Sequence, residues 1–161
     1  MLKNIFLVVL LLVLIYIVIQ ILNPSNKISS MQDGWVETII DADKLKENNN
    51  STNFTYSLWF YVNDWNDRFG EPKILLDRPT HSPKITLGAM QNDIDITLDC
   101  FPTSSVTGTQ TSSVPHTCNI KNFPLQKWIN LVISLQNQTL DIYLDGKLHK
   151  TCVLAGVPKI N

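Results

Sequence analysis

The chain has 161 residues, a formal net charge of −1 at pH 7, and charged side chains at 17% of its positions. Because phosphate binding needs an excess of Lys and Arg, this balance excludes a nucleic-acid partner held by its backbone charge. The three cysteines are too few for a disulfide framework that could replace a hydrophobic core.

The chain begins with an apolar run over residues 5–22, IFLVVLLLVLIYIVIQIL, which contains no charged side chain. A helix rises about 1.5 Å per residue, so this run is just long enough to cross a hydrocarbon core of about 30 Å. A cleaved signal peptide would have a shorter run followed by small residues at a cleavage site, and no Ala-x-Ala-like site follows here. The run therefore predicts a transmembrane anchor over residues 1–22, with the lipid bilayer as a partner through residues 5–22.

A short polar stalk is expected over residues 23–33, because Pro24 ends the helix and the segment lacks an apolar pattern. The remaining domain is expected over residues 34–161. Its first segment, Trp35–Ile40, has the composition of an edge strand.

Asn-x-Ser/Thr sequences recur in the part that follows the apolar run. They are candidate glycosylation sites and favour an extracytoplasmic position for the domain, whereas the lysines flanking the helix are too balanced to decide its orientation. These sequences begin at Asn49, Asn50, Asn53 and Asn137.

Strong alternation marks residues 53–63, NFTYSLWFYVN, which place an apolar face opposite an aromatic and hydroxylic face. We expect a central core strand there. Shorter strands are expected at Lys73–Asp77, Lys84–Gly88 and Ile94–Cys100, separated by turn residues. Since no amphipathic crossover helices lie between them, the pattern predicts an all-β fold of two packed antiparallel sheets.

The stretch Trp128–Val153 predicts three successive antiparallel strands. Apolar residues alternate along it, so that one face is buried and the other is in water. Asp145-Gly146 is typical of a two-residue hairpin turn, in which both central residues need positive φ.

The segment Phe101–Thr117 is rich in Ser and Thr and lacks a periodic apolar face, which predicts a loop held at its ends by Cys100 and Cys118. If these cysteines lie on neighbouring strands, a disulfide between them would close about twenty residues and stabilise the fold by about 3 kcal/mol. Cys152 would then form an intermolecular bond, exchange partners with Cys100 or Cys118, or remain a buried free thiol.

The aromatic strand at residues 53–63 and the later unit WINLVISLQNQTLDIYLDGKLHKT together resemble the laminin-G-like group of concanavalin A-like jelly rolls, over residues 53–157. The resemblance implies a sandwich that serves in lectins, adhesion modules, cargo receptors, glycosidases or structural proteins. Family members continue with further strands after the Asp-Gly hairpin, whereas this sequence stops at Asn161. We therefore expect a sandwich incomplete at its C-terminus, with an open edge that can pair with another chain.

Some glycosidases of this fold carry a Glu-x-Asp-x-Glu strand whose alternate carboxylates face the sugar. The nearest match here is Asp93-Ile94-Asp95-Ile96-Thr97, in which Thr97 cannot protonate a leaving group. The comparison argues against an enzyme, and we expect a solvent-facing strand.

No His or Cys spacing in the sequence is typical of a metal site, so no metal and no other cofactor is expected. The resemblance allows a calcium ion at the sandwich rim, with carboxylates drawn from Asp64, Asp67, Asp77 and Asp99, although their spacing selects no set. Trp65 can stack on a sugar ring, but a Trp after a core strand more often covers the end of the core. We take Trp65, Asp67 and Asp77 as the candidate ligand-binding residues.

These features predict a membrane-anchored, non-enzymatic recognition module that binds a glycan or a protein surface. The alternative is a structural protein that ties a membrane to a larger assembly such as a viral capsid. Short Asn/Ile/Lys-rich proteins of this kind resemble laminin-G-like membrane proteins of large DNA viruses, which implies the internal membrane of a virion as the alternative location.

Overall fold

The computed structural model describes residues 2–22, 27–41, 44–45, 52–102 and 112–159. The chain divides into two units, Met1–Glu47 and Asn48–Asn161. The first contains the helix α1 (Leu2–Leu22), and the second contains the strands. These are β1 (Phe54–Tyr61), β2 (Lys73–Asp77), β3 (Lys84–Leu87), β4 (Ile94–Pro102), β5 (Val114–Ile120), β6 (Trp128–Gln136), β7 (Thr139–Leu144), β8 (Lys147–Val153) and β9 (Gly156–Pro158).

The predicted N-terminal helix is present, and its described side chains, residues 5–19, are all exposed. In the part of the chain that the structure describes, no helix has both the length and the apolar character needed to cross a membrane. The predicted transmembrane span is therefore not supported. Residues 23–26 of the predicted stalk lie outside the described residues, and 27–33 contain no helix or strand.

The strand predicted at Trp35–Ile40 is wrong. The Asp33 carboxylate accepts a hydrogen bond from the Trp35 N–H at 3.1 Å, and the Asp33 carbonyl accepts one from the Val36 N–H at 3.3 Å. These bonds turn the chain where a strand would have to be extended. Trp35, Val36 and Ile39 are 74%, 66% and 80% exposed, so the segment does not bury an apolar face.

The second unit is an antiparallel sandwich of two sheets, as predicted. The first sheet has the strand order β1-β6-β7-β8, and the second has the order β2-β3-β4-β5, with β9 also paired to β4. Every pairing between the described strands is antiparallel. This arrangement lets each sheet bury one face against the other and leave one face in water.

The core between the sheets follows from residues that alternate along the strands. From the first sheet, all four apolar residues predicted on one face of β6 are at most 1% exposed: Ile129, Leu131, Ile133 and Leu135. From the second sheet, Ile94, Ile96 and Leu98 of β4 are fully buried. The burial of each inner side chain contributes about 1.5–3 kcal/mol to the stability of the fold.

The three-strand unit predicted at Trp128–Val153 is confirmed as β6, β7 and β8. Its turn has φ of 49° at Asp145 and 76° at Gly146, as the predicted hairpin requires. The strand predicted at residues 53–63 is confirmed as β1, but its central position is wrong. Among the described strands β1 pairs only with β6, which makes it an edge.

Both ends of the predicted loop Phe101–Thr117 are strand, because β4 continues to Pro102 and β5 begins at Val114. Residues 103–111 lie outside the described part. After β8 the chain adds β9 to the second sheet, where Cys100 pairs with Pro158. The Lys159 N–H then donates to the Asp99 carbonyl at 2.7 Å, and the Ser82 hydroxyl donates to the Lys159 carbonyl at 2.6 Å.

The predicted disulfide between Cys100 and Cys118 is wrong. The cysteines do lie on neighbouring strands, but Cys118 pairs with Ile96 and Cys100 pairs with Val114. The two positions are four steps apart along β5, which corresponds to about 13 Å and is too far for a disulfide. Cys118 bonds instead to Cys152 of β8, with Cα atoms 6.3 Å apart. Cys100 is a buried free thiol, and burial, followed by the nearby Asp99 charge, raises its pKa.

Candidate functional site

Trp65, the first predicted ligand-binding residue, packs against the end of the core. Its ring lies 5.8 Å from that of Phe123, which is buried. The Lys73 ammonium lies 4.9 Å from the centre of the Trp65 ring and donates to the carbonyls of Arg68 and Glu71, each at 3.3 Å. Because one face is against the core and a cation lies over the ring, Trp65 is poorly placed to stack on a ligand.

The other two predicted ligand-binding residues are not joined to Trp65. Asp67 is exposed in the turn at residues 67–70. Asp77 forms an ion pair with Lys84 at 3.1 Å, between β2 and β3. Among the described residues no hydrogen bond or ion pair links Trp65, Asp67 and Asp77, so the structure does not assemble them into one site.

The carboxylates considered for calcium have separate partners. The Asp64 carboxylate accepts the Asn66 N–H at 2.9 Å, and the Asp99 carboxylate lies 3.2 Å from His81 Nδ1 and accepts the Ser113 hydroxyl at 3.4 Å. Within the described ranges no group of three or more His, Cys, Asp or Glu side chains is arranged to hold a metal ion. The calcium site remains a prediction without a ligand set.

The carboxylates of the segment compared with glycosidases, residues 93–97, accept hydrogen bonds from other residues of the domain. Asp95 accepts the Asn119 amide at 2.7 Å, Asp93 accepts the Asn122 N–H at 3.1 Å, and the hydroxyls of Thr97 and Thr117 are 2.9 Å apart. Asp95 and Thr97 face outward between buried neighbours, as the alternation predicted. Asp93, Asp95 and Thr97 therefore each have a hydrogen-bond partner within the domain.

A different set of exposed residues lies on the outer face of the first sheet. Trp59, Tyr61 and Trp128 are 65%, 45% and 50% exposed, and we call these three residues the aromatic platform. Tyr61 pairs with Trp128 across β1 and β6, and their ring centres are 5.7 Å apart. Their neighbours Phe60 and Ile129 point into the core, so the alternation of both strands fixes the platform on the outside.

Polar side chains continue from the platform along the same two strands. Asn130 pairs with Trp59, and its amide donates to the Ser57 hydroxyl at 3.1 Å. Further along, Thr55 pairs with Ser134, and their hydroxyls are 3.1 Å apart. We call the outer face of β1 and β6, from Tyr61 to Thr55, the outer strip.

The outer strip ends in a shallow, open depression of about 320 Å³. Its lining comes from the start of β1 and the end of β6: Asn53, Phe54, Thr55, Ser134, Leu135 and Gln136. The strip therefore has an aromatic end and a largely polar end on one continuous surface.

An ion pair borders the aromatic end. Lys127 donates to the Asp145 carboxylate at 2.7 Å, and the Asn130 N–H donates to the same carboxylate at 3.0 Å. These hydrogen bonds, the Lys127 bond first, lower the pKa of Asp145. The two opposite charges at this border therefore offset each other.

Two of the candidate glycosylation sites lie near the polar end. Asn53 and Asn137 are both exposed, and the Asn53 side-chain oxygen accepts the Asn137 N–H at 2.8 Å. Asn49 and Asn50 lie outside the described residues. Because Asn53 lines the depression, a glycan attached to it would lie beside the depression.

Sequence reasoning singled out Trp65 and overlooked the platform. The alternation of residues 53–63 had already placed Trp59 and Tyr61 on the face away from the core, and that was the available signal. The contribution of Trp128 depends on the pairing of β1 with β6, which are separated by more than sixty positions. Only the fold brings these residues together.

Comparison with known families gives a match over all the described strands of the sandwich and the segment before them. A laminin-G family model, described as the concanavalin A-like lectin/glucanases superfamily, matches residues 34–161. Neither the curated proteins nor the solved structures gave a match to the chain.

Proposed function

We propose a function from one premise, that this chain belongs to the concanavalin A-like lectin/glucanase superfamily, whose laminin-G model covers residues 34–161. The proposed function is non-enzymatic recognition, with a glycan bound on the outer strip of the first sheet. The exposed aromatic platform is the observation that carries the proposal.

Exposed aromatic side chains suit this role for a physical reason. Two Trp rings and one Tyr ring lie on one face, where they leave large apolar area in contact with water. Covering that area with the apolar face of a sugar ring or with a protein side chain releases the water favourably. Hydroxyl and amide groups beside the rings, from Ser57 and Asn130, can then bond the polar edge of a sugar.

The proposal that the module is not an enzyme rests on the second sheet. A retaining glycosidase needs two carboxyl groups about 5 Å apart across the bond that is cleaved. Asp95 instead bonds to Asn119, and the position two residues later is Thr97. We expect no hydrolysis of β-glucans by the purified protein, and cleavage that disappears in an Asp95→Asn variant would contradict the proposal.

Binding can be tested on a glycan array with the full-length chain and its variants Trp59→Ala and Trp128→Ala. Because the helix exposes apolar side chains, the protein should be kept in a detergent without a sugar headgroup, which would compete for the site. The matched control is Trp35→Ala, which removes an exposed Trp from the first unit. Loss of glycan signal in the platform variants alone supports the proposal, whereas equal binding by all four proteins contradicts it.

The second part of the proposal is that α1 attaches the module to a lipid bilayer. Its described side chains, residues 5–19, are apolar apart from Tyr16 and expose no charge. The disulfide between Cys118 and Cys152 supports an extracytoplasmic position, because such bonds persist in oxidising compartments.

Liposome flotation tests the attachment. The full-length chain should float with neutral phosphatidylcholine vesicles, and a Leu10→Lys, Leu14→Lys variant should not, because each charge in the bilayer core costs about 2.5–3.5 kcal/mol on the insertion scale. Flotation of both proteins, or of neither, would count against a role for α1 in attachment.

A structural tether between a membrane and a larger assembly, such as a virion, is the second candidate function. The favouring observation is that β1 is an edge strand of the described first sheet, which offers backbone groups to a strand of another protein. A stoichiometric amount of the protein in purified particles, together with an empty glycan array, would favour the tether over the recognition module.

A further inference from the structure

We infer that the outer strip selects uncharged glycans, an inference that rests on the proposed function and names its ligand class. The observation behind it is the juxtaposition of the aromatic platform with a run of polar side chains that carry no charge. Neither the family match nor the fold decides between neutral and acidic sugars.

The side chains of the strip contain neither a cation nor an anion. On β1 they are Trp and Tyr at the aromatic end and Ser57 and Thr55 beyond it, and on β6 they are Trp128, Asn130, the apolar Val132 and Ser134. A sulfated or uronic acid sugar lying here would lose water from its anion without gaining an ion pair. That loss is costly, so an acidic glycan is disfavoured relative to a neutral one of the same shape.

The charges at the border of the strip do not change this conclusion. Lys127 is bonded to the Asp145 carboxylate at 2.7 Å, and Asp145 also accepts the Asn130 N–H. An approaching anion would have to compete with Asp145 for the Lys127 ammonium. Lys127 is therefore already paired within the domain. At the polar end, Ser134 pairs with Asp141 of β7, whose carboxylate accepts the Thr151 hydroxyl at 2.6 Å, so the charge on this border is an anion that does not favour an acidic sugar.

The polar groups of the strip match sugar hydroxyls in chemistry. The Asn130 amide and the Ser57 hydroxyl form one bonded pair, and the hydroxyls of Thr55 and Ser134 form a second pair. Each hydroxyl can both donate and accept, so it can bond a sugar hydroxyl in either direction. Neutral hydrogen bonds of this kind give orientation without a charge requirement.

The length of the strip favours an oligosaccharide over a single sugar. The strand rises about 3.3 Å per residue, so the six steps from Thr55 to Tyr61 span about 20 Å. The open depression of about 320 Å³ continues the strip at its polar end. A chain of several sugars can therefore contact the rings at one end and the hydroxyl pairs at the other.

Isothermal titration calorimetry on the full-length chain tests the inference with two neutral probes, cellohexaose and hexa-N-acetylchitohexaose, and two acidic probes, hexagalacturonate and a heparin hexasaccharide. We expect binding of at least one neutral probe, with an affinity that changes less than about twofold when salt is raised, because no ion pair is screened. Trp59→Ala should weaken this binding by about tenfold or more. Trp35→Ala should leave it unchanged.

The results separate failure of the inference from failure of the proposed function. Salt-sensitive binding of an acidic probe, still lost in Trp59→Ala, would overturn the neutral selectivity while leaving a glycan-binding platform in place. No binding of any probe, together with an empty glycan array, would overturn both. Folding of each variant is checked by its thermal midpoint, so that loss of binding is not mistaken for loss of structure.

A charge introduced into the strip provides a second test. Thr55→Lys places a cation on the edge strand β1, one strand further from Asp141 than Ser134, which pairs with Asp141 across β6 and β7. This variant should allow hexagalacturonate to bind, with an affinity that falls as salt rises. Thr55→Ala is the matched control and should not bind this probe. Failure of Thr55→Lys to bind hexagalacturonate, in a variant that still binds the neutral probe, would show that missing charge does not set the selectivity.

Discussion

Cys118 and Cys152 belong to different sheets of the sandwich, and the disulfide between them joins β5 to β8. These strands are last in their sheet orders, so the bond closes one side of the sandwich. The Lys150 ammonium donates to the Asn119 carbonyl at 2.8 Å and adds a second link between the same strands. The two sheets are therefore held together by a covalent bond as well as by the core.

Removal of the disulfide should cost more stability than any single exposed substitution. The cysteines are 34 positions apart, for which the chain-entropy model gives a loss of about 4 kcal/mol in the double variant Cys118→Ala, Cys152→Ala. Denaturant unfolding of the full-length chain measures this loss. Reductant should lower the unfolding midpoint of the unmodified chain and leave that of the double variant unchanged.

The pairing itself can be checked by alkylating the unreduced, denatured protein and mapping the labelled peptide. Cys100 should carry the label, since it is the free thiol of the structure. In the folded protein its labelling should be slow, because burial raises the pKa of the thiol. A label found on Cys118 or Cys152 of the denatured chain would contradict the pairing.

Asp145 should stabilise the fold in a pH-dependent way. Hydrogen bonds from Lys127 and from the Asn130 N–H lower its pKa below the ordinary value of 3.8. The folded state then binds the proton less readily than the unfolded state, so the stabilisation is complete above pH 3.8 and is lost as the pH falls through the folded pKa. Urea unfolding at a series of pH values measures it.

Asp145→Asn is the appropriate comparison, because Asn also accepts the positive φ of 49° found there. The difference in stability between the two proteins should be constant near neutral pH and should shrink below pH 3.8. A difference that stays the same at low pH would show that the Asp145 charge does not contribute.

Local pattern in the sequence was sufficient to predict the strands, but not to predict which strands lie next to each other. The β6–β7–β8 unit was predictable because its strands are adjacent in sequence and Asp145-Gly146 specifies their turn. The edge position of β1 was not, since alternation shows only that one face is buried. The Cys118–Cys152 bond depends on how the two sheets align, which no local pattern records.

The same limit applies to the candidate site. Alternation placed Trp59 and Tyr61 outside the core, and a single strand can supply that information. The addition of Trp128 and Asn130 required the register of β1 on β6. For Trp65 the sequence offered two roles, stacking on a sugar or covering the end of the core, and its contact with Phe123 confirms the second.

Gly156 should be required for the attachment of β9. A Cβ atom added there would overlap the Phe101 carbonyl, which belongs to the paired strand β4. Because backbone atoms cannot move aside without breaking the ladder, Gly156→Ala should cost about 1–3 kcal/mol. Faster hydrogen exchange at the Lys159 N–H, which donates to Asp99, would locate the loss at β9.

Gly34→Ala serves as the control for this substitution, since a Cβ atom at Gly34 meets no atom within 4 Å. Its unfolding midpoint should stay within experimental error of the unmodified chain. Equal stability of the Gly156→Ala and Gly34→Ala proteins would mean that β9 does not pack closely on β4.

Asn53 should stabilise the sandwich through its side-chain oxygen. That oxygen accepts the Asn137 N–H at 2.8 Å and ties the start of β1 to the turn between β6 and β7. Asn53→Ala removes the acceptor and should cost about 1 kcal/mol, whereas Asn53→Asp keeps an acceptor and should cost less than half of that. Both variants destroy the Asn-x-Thr sequence, so a difference between them cannot come from glycosylation. Urea unfolding of both variants measures the two losses of stability. An equal loss in both would mean that Asn53 stabilises the fold by something other than this hydrogen bond.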